Sequence, residues 1–257
     1  MAHVQTQPTL LTSRTALLRA SERVGLMGTA AWCALHLATQ QPNPITSRPC
    51  LTEQLLQFLE QAGILIRCKS PSNATHRAVY EPVAWRYCDI DLPSTEIQAF
   101  LDDALQLRLA EDDGIIRNAL WRLLADGDSE AYLIRLLQRY RLDSGDVQTL
   151  ISSVRAEWAP YSVGRRRYLA WLSVRHAAAT FSQGHFGTDA TYAALQTHLR
   201  RRGRWLAARQ SHRDLADDEY SFLPDAHWRR PILLELFLTR IAPVGEKFWT
   251  LPPPQTS

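Results

Sequence analysis

From Ser94 onward, apolar residues recur every three or four positions and the gaps between successive runs are short. Ile97, Phe100, Leu101, Ala104, Leu105 and Leu109 set the pattern, which places one side of a helix against a core. The same spacing predicts helices over Ile115–Leu124, Ala131–Tyr140, Val147–Trp158 and Arg165–Phe181, then a long one after Thr188 and a last one over Trp228–Ile241. Asp126-Gly127-Asp128 reads as the stop of one helix and Ser129 as the cap of the next. Asp143 or Ser144 caps the following helix, Gly203 interrupts the long one, and Pro231 sits in the first turn of the last. Turns of about two to six residues make such helices antiparallel neighbours, so the expectation is a multi-helix bundle over 93–248, followed by a Pro-rich tail over 249–257.

The N-terminal third reads differently. Residues 1–12 form a polar tail, and a helix starts at Ser13, with Gly25 and Gly28 positioned to break or kink it. An apolar segment from Thr29 to Gln40 ends at Gln41-Pro42-Asn43-Pro44. A helix over Leu51–Ala62 stops at Gly63. Ile64–Cys68 then reads as a strand, Lys69–Arg77 as a polar loop, and Ala78–Trp85 as a returning strand cut short by Pro82. Helix, turn, helix ending in Leu59-Glu60-Gln61-Ala62-Gly63-Ile64-Leu65-Ile66, a basic loop and a second strand together resemble a winged-helix domain over about 13–90, within a module of 13–92. The resemblance implies a mainly α fold with one short β-hairpin, and a role in binding DNA or protein. The chain departs from that pattern in two places. Ile45–Leu51 leaves little room for a middle helix, and the helix in the recognition position, Thr52–Gln61, carries Glu53 and Glu60 but no Arg or Lys. The wing is the basic part, with Arg67, Lys69 and Arg77.

Charge is partitioned along the chain. The formal net charge is only +3, yet Ile151–Arg213 holds eleven Arg against two acids, and Glu81–Leu150 holds fourteen acids against seven Arg. Arg outnumbers Lys by 27 to 2, which a GC-rich coding sequence explains in number but not in clustering. Two outcomes fit. The basic block pairs with the acidic helices inside the protein, or it contacts nucleic acid through phosphates. For the second, the contacts are Arg67, Lys69, Arg77, Arg165, Arg166, Arg167, Arg200, Arg201, Arg202 and Arg204, with Tyr161, Tyr168, Trp171 and Trp205 as stacking faces.

Catalytic signatures are missing. The chain has no phosphate loop, no dinucleotide fingerprint, no H-E-x-x-H and no G-x-S-x-G. The cysteines at 33, 50, 68 and 88 form no C-x-x-C pair, so they read as buried thiols rather than as metal ligands. No metal, cofactor or catalytic residue is expected, nor a membrane span or signal peptide, which places the chain in the cytoplasm. The functional expectation is a non-catalytic bacterial accessory protein that binds nucleic acid or assembles with proteins that do. The alternative is a protein-interaction module, a subunit, adaptor or neutralising partner, using the acidic face from Asp102 to Asp113 or the segment around Trp249.

Overall fold

In a computed structural model, the described residues are 6–67, 85–87, 92–142, 147–183, 188–211, 216, 219–225 and 228–254. They are mainly helical: α1 (Thr6–Ala38), α2 (Pro49–Gln61), α3 (Ser94–Glu111), α4 (Ile115–Arg139), α5 (Val147–Trp158), α6 (Val163–Gln183), α7 (Thr188–Ser211), α8 (Ile232–Leu236) and α9 (Lys247–Thr250). Strands β1 (Leu65–Arg67) and β2 (Trp85–Tyr87) pair antiparallel, Leu65 opposite Tyr87 and Arg67 opposite Trp85. Among the described residues no helix is long and apolar enough to cross a membrane.

The chain divides into two units. The first is Met1–Leu120 with Arg229–Pro243, the second Trp121–Trp228 with Val244–Ser257. The division falls inside α4 rather than at residue 92, because α3 packs along α1 and the segment after Arg229 returns to the first unit.

In the first unit, α1 begins at Thr6, so the expected start at Ser13 is corrected. Gly25 supplies the expected kink, with φ 59° and ψ −163°. At Gly28 the helix must approach α2, and a Cβ there would lie 2.7 Å from the Phe58 ring. The apolar run after Thr29 is buried as expected, with Trp32, Cys33 and Leu35 in the core. Cys50 lies exposed, against the expectation of a buried thiol; Cys68 and Cys88 lie outside the described residues. Pro49 fills the first turn of α2, where a missing N–H costs nothing. Gly63, with φ 71°, ends it and turns the chain into β1. The amides of Ile232 and Leu233 donate to the carbonyls of Pro44 and Ile45 and so tie the returning segment down. Pro231 precedes α8 rather than lying within it, and α8 runs on into a π-helical turn, Phe237–Ile241.

The second unit corrects the helix boundaries. α4 passes unbroken through Asp126-Gly127-Asp128-Ser129. Ser129 does not cap a new helix; its hydroxyl donates back to the Ala125 carbonyl (2.7 Å). Gly203 does not interrupt α7, and its carbonyl accepts the Tyr161 hydroxyl (2.6 Å). The core is built from Leu133, Leu137, Ile151, Val154, Leu169, Val174, Leu195, Leu199 and Leu206, contributed by α4 to α7. Phe248 and Trp249 on α9 are fully buried, and Phe248 stacks on Trp121 at 6.0 Å. Trp249 is therefore not the exposed docking residue that the sequence suggested.

Candidate functional site

The arginine block splits into two populations. Arg165, Arg166 and Arg167 lie at the start of α6 and are all buried. Successive helical residues point about 100° apart, so each guanidinium needs its own partners. Arg165 donates to the carbonyls of Ala216 (2.7 Å) and Glu219 (3.4 Å). Arg166, 1% exposed, donates to the carbonyls of Tyr161 (2.9 Å) and Ala159 (3.1 Å) and to Asp126 Oδ1 (2.7 Å). Burial pushes its pKa down and Asp126 pulls it back up. Arg167 forms a two-pronged pair with Asp128, Nε to Oδ2 at 2.8 Å and Nη2 to Oδ1 at 2.7 Å. Its guanidinium also lies 5.1 Å from the Tyr132 ring centroid and 5.2 Å from that of Trp228. The Asp-Gly-Asp of α4 thus serves as the counter-charge of α6. As phosphate contacts, these three arginines are corrected: each is buried and bonded to internal oxygens, so its charge is not presented to an outside anion.

The α7 cluster is different. Arg201 and Arg204 are exposed, and neither has an ion pair among the described residues. Arg200 is held by Glu157 (3.2 Å) and the Ser153 carbonyl (3.2 Å), with its side chain 43% exposed. Arg202 is half-buried with its guanidinium 5.7 Å from the Trp205 ring. Among the described side chains of α6 and α7 there is no acid, so the exposed face of this helix pair is basic. Arg67 lies in β1 by its backbone; Lys69 and Arg77 lie outside the described residues.

The aromatic faces expected to stack against bases are engaged within the unit. Tyr161 is buried. Tyr168 packs against Tyr220 (5.2 Å) and Phe222 (5.5 Å), and Trp171 against Phe222 (5.2 Å). Trp205 packs edge-on to Tyr220 (5.2 Å) with the Arg209 guanidinium also over it at 5.2 Å. Arg175 covers Trp171 at 4.6 Å.

Sequence reasoning missed a pair of histidines. His176 on α6 and His198 on α7 stack with ring centroids 4.3 Å apart. His198 is buried and its Nδ1 lies 3.1 Å from the Ser173 hydroxyl. Burial, then His176, Arg202 and Arg201, push its pKa down to about 4. The residues lie 22 positions apart in sequence, and only the α6–α7 packing brings them together. Among the described residues no cluster of three or more His, Cys, Asp or Glu is gathered to hold a metal.

No family model matches the chain, and neither a curated protein nor a solved structure matches it.

Proposed function

We propose that the chain is a non-catalytic nucleic-acid-binding accessory protein whose phosphate contacts come from α7. The observation that carries this reading is the exposed pair Arg201 and Arg204 on a helix face with no described acid. Arg200 and Arg202 flank them and would join by releasing Glu157 and Trp205. Such contacts position a strand without reading its sequence. The α2–β1–β2 arrangement supports a winged-helix reading of the N-terminal module. Its exposed α2 residues include Gln54, Gln57 and Gln61 but no Arg or Lys, so that helix would add no phosphate contact. A bacterial, cytoplasmic setting belongs to the same reading.

The test is binding of nuclease-treated protein to a labelled duplex and a single strand across a salt titration. Two phosphates on duplex DNA give a log–log slope of about −2, and four give about −4. Replacing Arg201 and Arg204 together by Ala should remove about two charges' worth of slope; an unchanged slope sinks the assignment.

One observation favours a second reading, a protein-interaction module. At the α3–α4 connection Leu107, Ile115 and Ile116 are exposed, Ile115 by 62%, among the exposed acids Asp103, Glu111 and Asp113. That surface would dock an apolar, basic partner chain. It predicts a complex that survives nuclease and is lost on Ile115→Ser.

A further inference from the structure

His176 and His198 line an open-mouthed pocket of about 270 Å³ together with Ala193, Ala194, Thr197 and Arg201. Among the described residues its lining holds two imidazoles, a guanidinium and a hydroxyl, and no carboxylate. The polar groups around His198 are, from α6, His176 and the Ser173 hydroxyl, and from α7, Arg201 and Arg202. α5 also packs on α7, but its Glu157 is taken up by Arg200 and is not among the charges that act on His198. Positive and potentially positive groups therefore converge with no anion among the described side chains to balance them. The volume falls just under the roughly 300–1,000 Å³ that encloses a whole small-molecule ligand, so it suits one anionic group rather than a cofactor. Arginine's planar fork and two imidazole N–H donors match the tetrahedral oxygens of phosphate.

We propose that the pocket formed by His176, Thr197, His198 and Arg201 binds a phosphate group. Ala193 and Ala194 add no polar group to the lining, and Thr197 adds a hydroxyl donor. A negative charge arriving in the pocket beside His198 would favour its protonated form, with Ser173 then accepting from Nδ1. The phosphate would belong either to a nucleic-acid backbone or to free phosphate. The first source rests on the reading given above; the second does not.

The experiment is a pH titration of the full chain labelled with ¹⁵N-histidine. It is run alone, with saturating inorganic phosphate, and with a short thymidine oligonucleotide. With phosphate, the His198 midpoint is expected to rise by about one unit or more. Arg201→Gln should abolish that rise and weaken phosphate binding about tenfold or more, the size of one charge-assisted contact. Arg19→Gln, an exposed position on α1 far from the pocket in sequence and in the other unit, should leave it intact. A His198 midpoint that ignores saturating phosphate, or an Arg201→Gln chain that binds phosphate as the parent does, overturns the proposal. If phosphate shifts His198 but the oligonucleotide does not bind, the pocket stands with free phosphate as its ligand and the nucleic-acid reading fails. If the oligonucleotide binds through Arg201 and Arg204 while His198 stays put, the reading stands and the pocket falls.

Discussion

The two arginine triplets, Arg165–Arg167 and Arg200–Arg202, are indistinguishable as sequence, yet they occupy opposite environments. The α6 triplet is buried, with Asp126 and Asp128 supplied by α4 and four backbone carbonyls supplied by turns. Among the described residues the α7 triplet has one carboxylate, Glu157, and keeps Arg201 and nearby Arg204 exposed. What separates them is the supply of acceptors, not the density of charge. A buried guanidinium is tolerable only when internal oxygens balance its charge and accept its N–H groups, and three stretches supply them at the start of α6: α4, the turn before α6, and Ala216 with Glu219. This also recasts the acidic segment. Asp126 and Asp128, read from the sequence as part of a helix stop, stand inside α4 as the counter-charges of α6.

The strongest way to break this comparison is to remove a counter-charge. Asp128→Ala leaves Arg167 charged and buried, and is expected to cost about 3–5 kcal/mol of unfolding free energy in a urea titration. Arg201→Ala should fall within about 0.5 kcal/mol of the parent. Replacing Arg167 and Asp128 together, by Met and Leu, should restore most of the loss, because the penalty lies in the unpaired charge. Equal costs for Asp128→Ala and Arg201→Ala would erase the distinction between the triplets.

A step smaller is Gly164→Ala, next to the buried triplet. A Cβ there would collide with the Ser221 hydroxyl and lie 2.9 Å from the Trp249 carbonyl, while the Gly164 carbonyl accepts the Phe222 amide (3.0 Å). Overpacking of this kind costs roughly 1–3 kcal/mol. Gly203→Ala on α7 meets nothing within 4 Å and should be neutral or slightly stabilising through helix propensity. Thermal melts of the two variants side by side measure how tightly each triplet's neighbourhood is packed.

Acid distinguishes the same regions in another way. The folded pKa of His198, about 4, lies below the ordinary value of 6.5, so folding disfavours its protonated ring. Its contribution to stability is complete above pH 6.5, erodes as the pH falls and is lost by about pH 4. The parent's urea midpoint should therefore decline more between about pH 6.5 and 5 than that of His198→Asn. Parallel declines would mean that His198 is not held neutral by the fold.

Much of the architecture is legible in the residues. The 3–4 spacing of Ile97, Phe100, Leu101, Ala104, Leu105 and Leu109 marks the inner face of α3; the first five are buried and Leu109 is half-buried. Gly63 and Gly25 act as stop and kink because each adopts a positive φ that a side chain would resist. The site was legible only in outline. The spacing of arginines identifies a basic region but not which of its members find acceptors 40 residues away, as Arg166 does in Asp126. The His176–His198 stack depends on the rotation of α6 against α7, which no local pattern encodes. Asp126-Gly127-Asp128 misled for the same reason. Its residues favour a turn in isolation, and tertiary pairing with α6 overrides that preference.

Ser129 tests that last point with the smallest effect. Read as a cap, its loss would cost about 1 kcal/mol by orphaning a helix-terminal amide. In the structure it is fully inside α4, and its hydroxyl bonds the Ala125 carbonyl, which a helical amide also serves. Ser129→Ala then removes one modest hydrogen bond and gains roughly half a kcal/mol of helix propensity. The expected net change is within about 0.5 kcal/mol of zero. A loss near the capping value, together with weaker amide protection from Asp126 to Glu130 in hydrogen exchange, would mean that α4 breaks at the Asp-Gly-Asp. The counter-charges of the buried triplet would then be held by a turn rather than by a continuous helix, and the contrast with α7 would need a different geometric basis.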